Sequence, residues 1–181
     1  WGGPGQGYEW PKSEHGIHID RDGNVWLAGN DKDDHQILKF TPDGKFLQQI
    51  GKAGSTGGSN SKTQLGRPAH IVTDDAAGEL YVADGYGNRR IIVFDSKTGE
   101  YKRHWGAYGT KTPTDDKLPP YKMVSIVELS KSFANPVHCV RISNDGLVYV
   151  CDRANDRIQV FKKDGTFVKE FQVEPETLQN G

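Results

Sequence analysis

The sequence predicts an all-β fold, and three observations support this prediction. First, the 181 residues include 22 Gly, 9 Pro, 7 Phe, 7 Tyr and 4 Trp, a composition typical of short strands joined by tight turns. Second, no segment keeps an apolar period of about 3.6 residues over a useful length, which argues against amphipathic helices. Third, one order of apolar runs and glycine turns occurs three times along the chain. A repeated, strand-rich unit therefore organises the fold.

The three repeats occupy segments 13–51, 68–106 and 136–171 and share one internal order. Each has an apolar run, a Gly turn, a strand, a polar loop, a strand ending in Phe, another Gly turn and a last strand. Turns such as Arg21-Asp22-Gly23 suit hairpins, because Gly readily adopts positive φ. Four antiparallel strands in roughly 40 residues is the pattern of a β-propeller blade. The predicted strands are Gly16–Ile19, Val25–Ala28, Ile37–Phe40, Phe46–Ile50, His70–Thr73, Leu80–Ala83, Ile91–Phe94, Tyr101–Trp105, His138–Ile142, Val148–Cys151, Ile158–Phe161 and Phe167–Phe171.

The predicted domain is a partial β-propeller over residues 1–181. Two segments between the blades are expected to be loops, because one is polar and Gly-rich and the other contains three prolines. The second is long for a loop in a compact fold, and such loops are either functional or mobile. The blades are placed at about 13–54, 66–109 and 134–173, and the loops at 55–65 and at 110–133 with Pro113, Pro119 and Pro120.

Three blades cannot close a ring, because known propellers have about four to eight. The chain also starts at Trp1 without a Met, and we expect it to be a piece of a longer protein. The three blades are therefore expected to be half of a six-bladed ring. Further blades of the same protein, or a second copy of this chain, would complete it. In either arrangement, the two end blades are expected to have apolar faces that other blades cover.

Charge and hydropathy exclude two classes of protein. The chain has 23 Lys and Arg against 24 Asp and Glu, so it does not have the basic excess of a protein that binds nucleic acid by neutralising phosphates. No apolar run approaches the roughly 18 residues that a membrane-spanning helix needs. We therefore expect neither a nucleic-acid partner nor a membrane span.

The two cysteines are expected to remain unpaired with each other. Cys139 and Cys151 fall in consecutive strands joined by a short turn. If Ile142 pairs with Leu147, Cys139 lies opposite Val150, and the two sulfurs point to opposite faces of the sheet. A register that differs by one residue would bring the cysteines together. Cysteine usage therefore does not indicate whether the protein works in an oxidising or a reducing compartment.

Two segments of the sequence resemble NHL repeats. They are LYVADGYGNRRIIVF at 80–94 and VYVCDRANDRIQVF at 148–161. They are similar to the repeats of peptidyl-α-hydroxyglycine α-amidating lyase and its bacterial relatives, and the resemblance covers all three repeats. It implies a six-bladed propeller with a zinc ion at its axis, held by three histidines that each begin an innermost strand. His15 and His138 match two of these positions, and the third ligand of the family lies in a later blade.

The resemblance also implies roles for two further residues. The catalytic tyrosine of the family maps onto Tyr86, in the loop DGYGN. A substrate-binding arginine maps onto Arg153, in the equivalent loop of the next repeat. The match at His138 needs a shift of one residue relative to Pro136, and a second active-site arginine of the family has no secure counterpart here. The NHL pattern is specific for fold and weak for activity, since many such propellers are binding scaffolds.

His70 is a third candidate ligand, predicted from the residues alone. In an alignment without gaps, His15, His70 and His138 share one repeat position, each two residues after a Ser or Pro. The family has no histidine at the place of His70. An alternative interpretation is that one ancestral histidine was copied with the repeat and now only forms hydrogen bonds near the channel.

These candidates are expected to share one mouth of the channel, because the start of an innermost strand and the end of its hairpin partner lie at the same end. Three neutral imidazoles suit Zn²⁺ and leave a position for water or substrate. Tyr86 could then transfer a proton, and Arg153 could hold a substrate carboxylate through its paired donors.

Other polar residues are expected to be structural. Asp84 and Asp152 follow equivalent strands and are expected to bind backbone N–H groups, and Arg90 and Arg157 to form a repeated salt bridge. The loop with Asp31, Asp33 and Asp34 could suggest calcium, but it does not have the Gly and Glu spacing of a calcium loop, and a solvated loop is the expectation. His35 is an additional candidate ligand from the same loop.

The leading prediction is a zinc-dependent, lyase-like NHL propeller outside the cytoplasm. The resemblance implies cleavage of the C–N bond of a peptidyl-α-hydroxyglycine to an amide and glyoxylate. We expect this chain alone to be inactive, because half of the ring and one ligand are not in it. The rival is a scaffold without activity that binds a protein or small ligand at the channel mouth. A third interpretation is a zinc site that has kept the metal and lost turnover.

Overall fold

The computed structural model describes residues 1–118 and 130–174. These residues form three antiparallel sheets of four strands each, and all twelve predicted strands are confirmed. Short 3-10 helices occur at Ala107–Gly109 and Arg153–Asn155. Residues 119–129, with Pro119 and Pro120, and residues 175–181 lie outside the described residues. The strands are β1 Glu14–Ile19, β2 Val25–Gly29, β3 Gln36–Phe40, β4 Phe46–Gly51, β5 His70–Asp74, β6 Glu79–Asp84, β7 Arg90–Asp95, β8 Tyr101–Trp105, β9 Val137–Ile142, β10 Val148–Asp152, β11 Arg157–Phe161 and β12 Phe167–Gln172.

Each sheet is one blade, and its strands lie side by side in chain order. The edge strands β1, β5 and β9 lie next to one another, with β5 between the other two. This is the arrangement of innermost strands around the axis of a propeller. The three-blade architecture predicted from the repeats is therefore confirmed.

Two apolar cores hold the blades together, one in each gap between neighbours. Trp26 and Ile37 of the first blade pack against Val82 and Ile92 of the second and are fully buried. On its other face the second blade packs against the third, where Trp105 forms part of a core with many other buried side chains. The members of that second core include Tyr81, Ala83, Ile91, Val93, Phe133, Val140, Val148, Val150 and Phe161. Alternation of side chains along each strand lets one blade serve both gaps.

The segments that lead into β5 and β9 also contribute to these cores. Leu65, in the predicted surface loop 55–65, has no exposed surface and packs in the gap between the first and second blades. Phe133 has the same role between the second and third blades. The loop is thus outside the strands, as predicted, but Leu65 and Ser59 are buried.

Part of the first blade's other face is apolar and exposed. Ile17 and Ile19 on β1 are 64% and 63% exposed. Further out, Trp1 and Tyr8 cover Phe40, with ring centres 5.2 and 5.0 Å from it. In a closed propeller a neighbouring blade covers such a face.

A buried ion pair recurs in the second and third blades. Arg90 Nε donates to Asp84 Oδ2 at 2.9 Å, and Arg157 Nε donates to Asp152 Oδ2 at 2.7 Å. Both pairs are completely buried. The other carboxylate oxygen of each Asp accepts the backbone N–H of Gly66 or Ala134, so the structural roles predicted for these four charged residues are confirmed.

The prediction that the cysteines are not bridged is wrong. Cys139 and Cys151 form a disulfide. Ile142 pairs with Val148 and not with Leu147, so the connecting loop is one residue longer than assumed and Cys139 lies directly opposite Cys151. Directly opposed residues of an antiparallel pair point to the same face, which brings the two sulfurs together.

No helix among residues 1–118 and 130–174 has the length and apolar character needed to cross a bilayer.

Candidate functional site

The candidate site lies at one mouth of the channel, where the innermost strands begin and their hairpin partners end. His15 is the second residue of β1, and His138 is the second residue of β9. Tyr86 follows β6, and Arg153 follows β10 in the 3-10 turn Arg153–Asn155. Three blades therefore contribute side chains to one region.

A β-bulge sets the position of His15 and of His138. In β1, Glu14 pairs with Gly29 and Ile17 with Leu27, so β1 has one extra residue in this interval, which contains His15. In β9, Val137 pairs with Asp152 and Cys139 with Cys151, so His138 is the extra residue. A bulge bends the strand and redirects a side chain, and bulges are common beside active sites.

His70 does not share the repeat position of the other two histidines, and the prediction from the gap-free alignment is wrong. Leu27, Val82 and Val150 are equivalent in the second strands, and they pair with Ile17, Ile71 and Val140. His15 and His138 come two residues before their member of this inner set, whereas His70 comes one residue before Ile71. The strand β5 has no bulge at this point, and His70 is therefore equivalent to Gly16 and Cys139.

The surroundings of His70 also differ from those of the other two. The pKa of His70 is lowered to about 4, first by burial and then by the positive charge of Arg141, with smaller effects of His18 and His138. Its Nδ1 atom is buried and has no hydrogen-bond partner. His70 thus lies beside the inner strand of the third blade as a neutral imidazole. Its ligation of zinc stays a prediction.

His15, Tyr86 and His138 come together as a triangle of rings. The Tyr86 hydroxyl lies 2.8 Å from Nε2 of His15, within hydrogen-bond distance. The ring centres are 5.1 Å apart for His15 and Tyr86, 5.5 Å for the two histidines, and 5.9 Å for Tyr86 and His138. A reacting group placed between them would contact two imidazoles and one phenol.

Two glycines let the Tyr86 loop fit between neighbouring backbones. A Cβ atom on Gly85 would overlap the backbone of Val137 at the start of β9. A Cβ atom on Gly87 would lie 2.7 Å from the carbonyl oxygen of Gly66, and Gly87 N donates to that oxygen. Any larger residue at these positions would displace the loop, and with it the Tyr86 hydroxyl.

Arg153 supplies positive charge beside His138. Its side chain is exposed at the mouth. The pKa of His138 is lowered, first by burial and then by the charges of Arg153 and His15. Because a cation opposes protonation of a neighbouring imidazole, His138 is held in its neutral form, which is the form that binds metals.

Arg67 is a site residue that the sequence reasoning missed. Its guanidinium carbon lies 5.7 Å from the centre of the Tyr86 ring, and its Nε and Nη2 atoms donate to the carbonyl oxygen of Asn30 at 3.0 and 2.9 Å. The signal in the sequence was a lone cation three residues before the inner strand of the second repeat.

The donor set fits part of a zinc site. Two imidazoles, one of them held neutral, are nitrogen ligands of the type that Zn²⁺ prefers. Within residues 1–118 and 130–174, no group of three or more His, Cys, Asp or Glu side chains is arranged to hold a metal ion. His15 and His138 could therefore provide two nitrogen ligands, and their binding of zinc stays a prediction.

Two carboxylates of the acidic loop of the first blade already have hydrogen-bond partners within the protein. Asp34 is buried and accepts the backbone N–H groups of Lys12, Ser13 and Asp31. Asp33 pairs with Lys12 and Lys32, and these hydrogen bonds lower its pKa to about 2. Asp34 thus has the role in the first blade that Asp84 has in the second: it accepts backbone N–H groups of the segment before the innermost strand. Calcium binding here, raised from the sequence, stays a prediction.

The fold and the sequence together define the class of protein. The NHL repeat family matches residues 137–161, which are the first three strands of the third blade. The described residues form three β-propeller blades, the third of which matches the NHL repeat, and the sequence resembles the peptidyl-α-hydroxyglycine α-amidating lyases.

Two relatives carry this resemblance. The chain is 34% identical over 159 residues to peptidyl-glycine alpha-amidating monooxygenase B of Xenopus laevis. The alignment covers 87% of this chain and 16% of that protein. It is 31% identical over 172 residues to peptidyl-alpha-hydroxyglycine alpha-amidating lyase 1 of Drosophila melanogaster, which covers 91% of this chain and 29% of that protein. The chain thus spans less than a third of the length of either relative.

Among solved structures, the chain is similar to virginiamycin B lyase from Staphylococcus aureus. The TM-score is 0.54 with 16% sequence identity, over 90% of this chain and 42% of that one. At this identity the likeness concerns the propeller fold alone.

Proposed function

We propose that this chain provides part of the active site of an amidating lyase, which cleaves the C–N bond of a peptidyl-α-hydroxyglycine to release a peptide amide and glyoxylate. The observation that carries the proposal is the 2.8 Å contact between Tyr86 and His15, beside His138. A phenol placed against one imidazole and close to another is arranged for proton transfer next to a metal. The similarity to the two amidating enzymes supports the choice of reaction.

The substrate would be oriented by its charged end. Its free carboxylate would pair with the exposed Arg153 guanidinium, whose two parallel donors match a carboxylate. This contact would place the neighbouring α-carbon, with its hydroxyl and its amide nitrogen, over His15, His138 and Tyr86. Holding the reacting atoms in one geometry can contribute several powers of ten to the rate.

The bond changes would then balance without any oxidant. The α-hydroxyl loses its proton, its oxygen forms the carbonyl of glyoxylate, and the C–N electron pair leaves with the amide nitrogen, which takes up a proton. In one concerted step, the Tyr86 hydroxyl would give its own proton to the departing amide nitrogen and take the proton of the α-hydroxyl, while His15 stays hydrogen-bonded to the phenol oxygen. Zinc held by His138 and by the remaining ring nitrogen of His15, Nδ1, would supply a Lewis acid that makes the substrate hydroxyl more acidic. In this proposal the third protein ligand comes from a further blade of the ring.

We also propose that the protein works outside the cytoplasm. The Cys139–Cys151 disulfide supports this location, because disulfides persist in oxidising compartments and are rare in the cytosol.

The experiment that tests the proposed function is direct detection of both products. The complete protein, loaded with Zn²⁺, is incubated with a peptide that ends in α-hydroxyglycine, and glyoxylate and peptide amide are measured together. We expect equal amounts of the two products and loss of activity after removal of the metal. A zinc-loaded protein that binds the peptide without releasing glyoxylate would contradict the proposal and favour a binding scaffold.

A further inference from the structure

Arg67 occupies an unusual place in the backbone. It lies in the segment between the first and second blades, three residues before β5. Its φ is 61°, in the left-handed region that side-chain-bearing residues rarely adopt. A residue is kept in this conformation only where its surroundings require it, and glycine would be the default choice for the backbone alone. Glycine in this position could not supply the contacts that the Arg67 side chain makes with Asn30 and Tyr86.

Hydrogen bonds connect Arg67 to both halves of the site. Its carbonyl oxygen accepts the backbone N–H of Tyr86 at 3.2 Å. Its guanidinium donates twice to the carbonyl oxygen of Asn30, which follows β2 of the first blade. The N–H of Asn30 in turn donates to the carbonyl oxygen of Ser13 at 2.9 Å, two residues before His15. Together with the contact between Tyr86 and His15, these hydrogen bonds form a continuous ring of contacts that joins the first and second blades.

The same guanidinium lies over the Tyr86 ring, with its carbon 5.7 Å from the ring centre. A cation at this distance is attracted to the electron-rich face of the ring. Tyr86 is thus held at three points. Its backbone N–H and one face of its ring contact Arg67, and its hydroxyl contacts His15. A phenol on a short loop would otherwise be able to rotate away from His15.

The two arginines that follow the Tyr86 loop have different partners. Arg89 donates to Asn135 and to the carbonyl oxygens of the loop after β8. Arg90 pairs with Asp84 and donates to carbonyl oxygens of the segment 59–64. Arg89 thus contacts the segment between the second and third blades, and Arg90 contacts the segment between the first and second blades. The bonds of Arg67 instead cross to the first blade, which carries His15.

We propose that Arg67 is the positioning residue that holds the Tyr86 hydroxyl on His15, by clamping the Tyr86 loop to the strand pair that carries His15. It touches neither substrate nor metal in this role and acts through Tyr86. Its contribution to catalysis rests on the proposed function, whereas its effect on the contact between Tyr86 and His15 does not.

The first test measures that contact without any assay of activity. The His15 ring signal of the chain is assigned by NMR and compared between the wild type, Tyr86→Phe and Arg67→Met. We expect Tyr86→Phe to shift the signal, and Arg67→Met to shift it in the same direction by at least half as much although Tyr86 is still present. The double variant is expected to match Tyr86→Phe, because a lost contact cannot be lost twice. Arg21→Met is the matched control, since Arg21 lies in the turn at the other end of β1, and it is expected to leave the signal unchanged.

An unmoved His15 signal in Arg67→Met, with a moved one in Tyr86→Phe, overturns the proposal. So does an unmoved signal in Tyr86→Phe, because the contact itself would then be missing. If Arg67→Met does not fold, Arg67→Lys takes its place, since it keeps a cation over the ring and loses the paired donation to Asn30. A folded Arg67→Lys protein is expected to show a smaller shift than the Tyr86→Phe protein, and no shift overturns the proposal.

The second test uses glyoxylate release by the complete protein. We expect Arg67→Met to lower kcat by about 10- to 100-fold with little change in KM, because a misplaced catalytic group slows the reaction without weakening binding. A raised KM with unchanged kcat overturns the positioning role. A wild-type protein that releases no glyoxylate contradicts the proposed function alone, and the NMR comparison still decides the role of Arg67.

Discussion

The hydroxyl of Tyr86, on the second blade, lies 2.8 Å from Nε2 of His15, on the first. These residues are far apart in the sequence and meet only because two blades pack side by side through a buried apolar core. His138 of the third blade completes the group. The site therefore depends on the propeller arrangement, and any change that separates the blades should also take the site apart.

Zinc affinity should distinguish the three histidines. We expect His15→Ala and His138→Ala each to weaken Zn²⁺ binding to the complete protein by more than about 100-fold, which exceeds the usual cost of losing a residue that only supports a ligand. His70→Ala should weaken it by less than about 10-fold, because His70 lies one strand position away from the bulged histidines. Competition with a chromophoric chelator measures all three. A loss of Zn²⁺ affinity in His70→Ala as large as in the other two variants would contradict this prediction and identify His70 as a ligand.

The disulfide should stabilise the third blade. Cys139 and Cys151 are separated by 12 residues, and closing a loop of this size stabilises a fold by about 2–4 kcal/mol. Urea unfolding of the wild type should therefore shift to lower urea when a reductant is added. The variant Cys139→Ala/Cys151→Ala is the control and should be insensitive to reductant. A wild type that is equally insensitive would argue against the bond.

The buried ion pair of the second blade should be expensive to break. Asp84→Asn leaves Arg90 buried without its carboxylate, and breaking such a pair typically costs about 3–5 kcal/mol. Asp33→Asn removes a carboxylate from an exposed pair with Lys12 and should leave the unfolding midpoint nearly unchanged. Denaturant unfolding compares the two variants. Similar midpoints for both would mean that burial does not set the value of the pair.

Stability should fall in acid through Glu79. Hydrogen bonds from Arg103 lower the pKa of this carboxyl from 4.5 to about 2, with further help from Lys102 and Tyr81 and against the effect of burial. A carboxyl whose pKa is lower in the folded state contributes stability above its unfolded pKa, and that stability is lost as the pH falls from about 4.5 towards 2. Glu79→Gln should reduce this loss, measured as the free energy of unfolding against pH. Glu100→Gln, at an exposed position, should follow the wild type.

The fold could be predicted from the sequence because its signals are local. Each hairpin has its own turn residues, and each repeat restates the pattern, so the twelve strands agree with the structure within two residues at their ends. The structural roles of Asp84 and Arg90 followed from their recurrence as Asp152 and Arg157.

Register and bulges could not be predicted in the same way. One extra residue in the loop after β9 reversed the prediction for the cysteines. Bulges in β1 and β9, and none at the start of β5, separated His70 from the two histidines with which it aligns in sequence. Arg67 was missed because its partners belong to another blade. Each error concerns a relationship between strands that a single repeat does not encode.

The central claim is that Tyr86 transfers the proton when the substrate is cleaved. The most direct measurement is the rate of glyoxylate release by Tyr86→Phe in the complete, zinc-loaded protein, with Tyr101→Phe as a control at a hydroxyl bonded to His104. We predict that kcat falls by about 10²- to 10⁴-fold in Tyr86→Phe, the usual contribution of a general acid or base, and stays at the wild-type value in Tyr101→Phe. A folded Tyr86→Phe protein with the wild-type kcat would contradict the account.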